Sequence, residues 1–160
     1  MGRAHDLILL NAGSSAGSED FSAKVVETLG ELLVHGVAVR PGHPVILGIL
    51  DLENGRKVPI IGVPGYPVSA ALTGEIFVEP VLARWLGRLP HEPEEIEAEI
   101  TRKITSPGGD DDYQRVVVGR VGDRLLAAPL QRGAGVVSAW LLCSGGLGWF
   151  QHWCGLMGWL

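Results

Sequence analysis

The chain has 160 residues, 46% of them hydrophobic and 19% charged, with a formal net charge of −5. That length supports one full core, or one domain and part of another, and the acidic balance argues against a nucleic acid held on a broad basic face. Cys143 and Cys154 are the only cysteines, which offers no disulfide framework or thiolate cluster and fits a reducing cytoplasm, and the apolar run at residues 7–10 is too short for a signal-peptide core.

Leu7-Ile8-Leu9-Leu10 reads as a strand running into Asn11-Ala12-Gly13-Ser14-Ser15-Ala16-Gly17-Ser18-Glu19-Asp20. Glycines let a backbone approach a ligand, and the first N–H groups of a helix starting near Asp20 have no partner of their own, so the stretch has the makings of an anion site. Glu19 and Asp20 at the same mouth would repel an anion unless a cation such as Mg²⁺ stood between them. Phe21, Val25, Leu29, Leu32 and Leu33 follow helical spacing and predict one helix over 20–35 with those side chains on its buried face, ending at Gly36. Val37-Ala38-Val39 is a short strand, and Arg40-Pro41-Gly42-His43-Pro44 a rigid loop. Residues 45–50 and 58–63 are apolar runs on either side of Asn54-Gly55, which predicts a β-hairpin. After the tight loop Pro64-Gly65-Tyr66-Pro67, helical spacing at Val68, Ala71, Leu72, Ile76 and Phe77 lasts until Glu79-Pro80 interrupts it, and a further turn or two of helix ends at Gly87. These elements describe an α/β layered domain with its loops on one edge.

Composition shifts at Pro90-His91-Glu92-Pro93. Ile96, Ala98, Ile100 and Ile104 then alternate as in a half-buried strand, and residues 113–121 and 125–130 make two more β runs joined by Gly122-Asp123. Asp110-Asp111-Asp112, after Pro107-Gly108-Gly109, reads as a solvated turn rather than a metal site. From Gly133 to Leu160 no Asp, Glu, Lys or Arg occurs. That tail is expected to be irregular or a short isolated helix outside the β module, and its removal after Ala139 to improve solubility.

The loop at 11–20, Val39-Arg40-Pro41-Gly42-His43-Pro44 and Gly62-Val63-Pro64-Gly65-Tyr66-Pro67-Val68-Ser69-Ala70 resemble, in order and spacing, three motifs of the molybdopterin molybdenumtransferase family, MoeA and the gephyrin E domain. The likeness spans roughly residues 5–138. It is closest to the subgroup in which a periplasmic-binding-protein-like domain follows. The resemblance implies a three-layer MogA/MoeA-like molybdopterin-binding α/β domain at 1–89, lacking its N-terminal part, a truncated small all-β module at 90–140, and a tail at 141–160 not native to the fold.

The implied reaction is insertion of molybdate into adenylylated molybdopterin with release of AMP, assisted by Mg²⁺, in a cytoplasmic homodimer with no membrane and no nucleic acid. The alternative is a non-catalytic molybdopterin- or nucleotide-binding module of the related MogA and CinA type. Asp20 takes the place of the family's loop aspartate, as metal or substrate ligand or else as a helix cap; Glu19 is a second metal candidate or a solvated carboxylate. Gly13, Ser14, Ser15 and Gly17 would line the loop. Arg40 stands where the family has a lysine and can still clamp an oxyanion, and His43 replaces another lysine. Pro64, Gly65 and Ser69 match the third motif, with Tyr66 in place of an asparagine. Arg115 resembles an arginine that reaches the family's cleft, or is an outward strand residue. Gly36 and Ala134 stand where the family has a lysine and a serine.

Overall fold

In the computed structural model, which describes residues 5–12, 21–53, 55–90, 95–106, 108–131 and 150–156, the chain divides into two units, Met1–Val37 with Gly42–His91 and Ala38–Pro41 with Glu92–Leu160.

In the first unit the apolar run predicted at residues 7–10 forms strand β1 (Ile8–Ala12). Residues 13–20 lie outside the described residues, and the chain is described again at helix α1 (Phe21–Leu29). The helix ends well before Gly36. Gly30 starts strand β2 (Gly30–His35), antiparallel to β4 (Ile46–Asp51), and from there burial alternates residue by residue. Leu32 and Leu33 satisfy a helical spacing by chance, but in a strand they point to opposite faces, and only Leu32 packs on the core.

The buried face of α1 also differs from the expected one. Phe21, Val25 and Leu29 are exposed, whereas Ala23 and Val26 are buried against Ile46, Leu50 and Ile60. The large apolar side chains carry the spacing signal, yet the smaller ones meet the sheet because the helix lies close to it. At Gly48 of β4 a Cβ would lie 2.5 Å from Val26 Cγ1. The absent side chain is what lets helix and sheet approach.

Strand β5 (Lys57–Pro64) is antiparallel to β4 and parallel to β1, giving the order β1-β5-β4-β2. β4 and β5 pair as the expected hairpin, and of its turn pair Asn54 lies outside the described residues. Gly55 adopts φ 74°, and the Leu52 N–H donates to the Arg56 carbonyl at 2.9 Å. Helix α2 (Pro67–Thr73) passes through a π turn (Gly74–Val78) into α3 (Glu79–Trp85), so Glu79-Pro80 does not interrupt the helical path. A proline ring would crowd the carbonyl four residues back in a regular α-helix. Here the Glu79 N–H reaches the Gly74 carbonyl, five residues back, and the widened turn sits just ahead of Pro80.

In the second unit, β3 (Val39–Arg40) runs parallel to the start of β7 (Asp111–Val121), which pairs antiparallel with β8 (Arg124–Pro129) across Gly122 at φ 59°. The strand expected around residues 96–104 is only β6 (Glu99–Ile100), parallel to β8, with Ile96 and Ile100 exposed. Ala98 alone of that alternating set packs on the core of Val116, Val118 and Ala127. The tail departs from expectation as well. Residues Phe150–Leu156 form β9, antiparallel to β7 from Asp112↔Leu156 to Val118↔Phe150. Backbone pairing does not require polar alternation, and Phe and Trp are among the residue types enriched in strands. The remainder of the tail lies outside the described residues.

Candidate functional site

In the first unit the strands that lead into the first and third motifs end side by side. Ala12, the last residue of β1, is in register with Pro64, the last residue of β5. Loops leaving the C-terminal ends of neighbouring parallel strands open onto a shared crevice, the usual ligand position in α/β sheets. β4 runs the other way, so its start at Ile46, opposite Gly62, lies at that same end, and His43 is three residues before it. The His43 carbonyl accepts the N–H groups of Val37 and Val45, both at 2.9 Å, which fixes the loop while its side chain stays exposed.

Pro64 is buried and Gly65 exposed. Tyr66 occupies the N-cap of α2 with φ −84° and ψ 132° and makes no side-chain cap bond. Its ring is 50% exposed, while Ser69 is buried. Gly13, Ser14, Ser15, Gly17, Glu19 and Asp20 lie outside the described residues, between the end of β1 and the start of α1. Among the described residues no group of three His, Cys, Asp or Glu is placed to hold a metal ion. None of their helices is long and apolar enough to cross a membrane.

The second unit holds the two arginines. Arg40 lies on β3 in register with Asp112 of β7, and its Nε donates to Asp110 Oδ2. Arg115 is three residues past Asp112 on a strand whose pairing with β9 shows no bulge, which puts it on the opposite face from Asp112. The strand therefore does not bring Arg115 to the face on which Arg40 lies. Nor is Arg115 an outward residue. It is 6% exposed, and its buried Nη1 has no hydrogen-bond partner among the described residues.

The acidic run is not a solvated turn. Asp111 is exposed, Asp112 is buried, and the Asp110 side chain is 15% exposed. Gln114, which the motif comparison overlooks, donates through Nε2 to the carbonyls of Arg115 at 3.0 Å and Leu130 at 2.9 Å, tying β7 to the end of β8. Period-two alternation carried back from Val118 and Val116 reaches Gln114 and Asp112, so their burial was readable from the strand pattern. Elsewhere in the unit, Arg124 is bonded to Glu99, which raises its pKa further above the ordinary arginine value and leaves it protonated at any physiological pH.

The parallel neighbours β1 and β5, with helix α1 the next described element after β1 and α2 following β5, make the first unit an α/β domain. Residues 1–84 match the family model described as "Probable molybdopterin binding domain", and the chain belongs to that family. Its α/β fold is accordingly of the MogA/MoeA-like type. A Haemophilus influenzae molybdopterin molybdenumtransferase is 33% identical over 111 residues, 69% of this chain and 26% of that protein. The Bacillus subtilis molybdopterin molybdenumtransferase is 29% identical over 128 residues, 78% of this chain and 28% of that protein. A Methanocaldococcus jannaschii protein named for molybdopterin biosynthesis is 29% identical over 142 residues, 88% of this chain and 31% of its own length. The chain thus spans less than a third of the length of these relatives.

Proposed function

We propose that this chain serves molybdenum cofactor assembly as the ligand-binding part of a molybdopterin molybdenumtransferase, at which molybdate enters adenylylated molybdopterin and AMP leaves. The observation that carries it is the register of Ala12 with Pro64, which roots the first and third motif loops side by side. On this reading Gly13, Ser14, Ser15 and Gly17 offer backbone and hydroxyl donors to phosphate. Pro64, Gly65 and Ser69 shape the neighbouring loop, Arg40 and His43 meet anionic oxygens, and Arg115, on the opposite face of β7 from Arg40, is a separate candidate through its Nη1. The donor set at Glu19 and Asp20, hard carboxylate oxygens beside a glycine loop, fits Mg²⁺. When bound, that ion would neutralise phosphate oxygens. The reading also takes the protein to be cytoplasmic and homodimeric.

Isothermal titration with adenylylated molybdopterin, with and without Mg²⁺, tests the proposal. Asp20→Asn is expected to leave folding nearly unchanged and to weaken binding only when Mg²⁺ is present, because charge is removed while shape and capping ability remain. A D20N chain whose Mg²⁺-dependent affinity equals that of the parent would rule out the metal role. Binding of adenylylated molybdopterin with no AMP release once molybdate is added would favour the non-catalytic module instead.

Arg40→Ala is expected to weaken the anionic ligand by about 2 kcal/mol, the scale of one charge-assisted pair. Arg56, which pairs with Asp6 beside the hairpin turn, is the control. Its replacement by Ala should leave affinity unchanged. Equal losses from the two substitutions in the same titration would remove Arg40 from the site.

A further inference from the structure

We propose that Asp110 is a positioning residue for Arg40: by accepting the Nε proton it fixes the guanidinium plane and leaves the Nη pair as an end-on clamp for a tetrahedral oxyanion. The inference rests on the function proposed above, in which Arg40 meets the anionic ligand. A guanidinium offers two kinds of bidentate edge, Nε with one Nη, or the two Nη groups together. Asp110 takes the Nε position through one oxygen, Oδ2. Among the described residues the free edge is then the Nη pair, whose parallel N–H groups match two oxygens of phosphate or molybdate.

The two partners are unequally anchored, with the Asp110 side chain 15% exposed and that of Arg40 52% exposed. The carboxylate is the fixed support and the guanidinium reaches outward from it. Their backbones are locked as well, for Arg40 is in register with Asp112 and the Asp111 N–H donates to the Ala38 carbonyl at 2.8 Å. Gly109, at φ 93°, turns the chain immediately before Asp110. An ion pair this open contributes little to stability. Its value lies in orientation, since a long side chain held in one rotamer loses less entropy when a ligand arrives. A carboxylate near an anion also repels it, and the orienting role needs only an acceptor. Positioning and charge are therefore separable by substitution.

Titrations of the full chain with molybdate and with adenylylated molybdopterin should include Asp110→Ala, Asp110→Asn, Arg40→Ala and the Asp110→Ala, Arg40→Ala double variant, with urea denaturation of each. Asp110→Ala is expected to weaken both ligands about tenfold, the loss of one oriented charge-assisted contact. Asp110→Asn, which keeps an acceptor and removes the charge, should match or exceed the parent's affinity. In the Arg40→Ala background the Asp110 substitution should change nothing further. Tighter binding in Asp110→Ala would make the carboxylate a competitor of the ligand and overturn the proposal. Equal weakness in the Ala and Asn variants, or the same loss without Arg40, would overturn it too. Should Asp110→Ala fail to fold, weaker binding by Asp110→Asn than by the parent decides against it. If Arg40→Ala leaves both affinities intact while Asp20→Asn still removes the Mg²⁺ dependence, the role of Asp110 falls and the proposed function stands.

Discussion

Replacing Gly48 by Ala should destabilise the first unit by about 3 kcal/mol, the upper end of the usual cost of overpacking a core. A Cβ there would lie 2.5 Å from Val26 Cγ1 and 2.8 Å from the Glu31 carbonyl oxygen. Val26 is fully buried, and a backbone carbonyl cannot swing away as a side-chain tip can. The helix would have to lift from the sheet, exposing Ile46, Leu50 and Ile60 beneath it. Gly74→Ala is the informative contrast, because a Cβ at that helical position meets nothing within 4 Å. It should be neutral, or stabilising by up to about 1 kcal/mol through the lower entropy of the unfolded chain. Urea denaturation of both variants checks the pair. Similar midpoints would show that Gly48 does not set the spacing of helix and sheet. Val26→Ala added to Gly48→Ala should recover part of the loss by removing the nearest obstruction.

Arg115→Met is expected to separate stability from ligand binding. The arginine is buried with Nη1 unbonded among the described residues, and a buried donor without a partner costs about 1–3 kcal/mol. Methionine reproduces the apolar stem and carries no donor, so the variant should be as stable as the parent or more stable by about 1–2 kcal/mol. If the free nitrogen waits for an anionic oxygen, affinity for adenylylated molybdopterin should fall by about 3 kcal/mol, roughly a hundredfold. Denaturation and titration of the same preparation provide the check. Unchanged affinity would make Arg115 a structural residue of β7, and a large loss of stability would show its guanidinium supporting the fold.

The hairpin at Asn54-Gly55 and the strand runs of β4, β5, β7 and β8 were legible in the sequence because each depends on local chemistry: a turn pair with φ > 0, or an unbroken apolar or alternating run. The α1–β2 boundary was not legible. Leu32 and Leu33 continue a helical spacing, and only pairing with β4, a contact across a loop, converts them to a strand. The helical spacing points to the wrong face of α1 for a related reason. Its depth is set by Gly48 on another element, so Ala23 and Val26 matter more than Phe21. Pro80 reads as a break because propensity speaks of regular α-helix and not of a π turn that relieves the clash. For the candidate site, chain order and spacing pointed to the loops, and the parallel register of β1 and β5 roots two of them together. The partners of the charges were less accessible. Nothing near Arg40 in the chain announces Asp110, which lies 70 residues away.

Pairing by β9 along Asp112 to Val118 also bears on where the chain can be cut. Opposite that flank, β7 is already engaged by β3 at its start and by β8 farther along. Ending the chain at Ala139 would remove β9 and leave a row of unsatisfied amides and carbonyls beside Val116 and Val118. Such a row is a template for another chain's strand, and this one has neither proline nor lysine along it to discourage docking. The apolar tail that looks like a liability in the sequence thus shields a stickier surface, and trimming it would exchange one apolar segment for edge-to-edge aggregation.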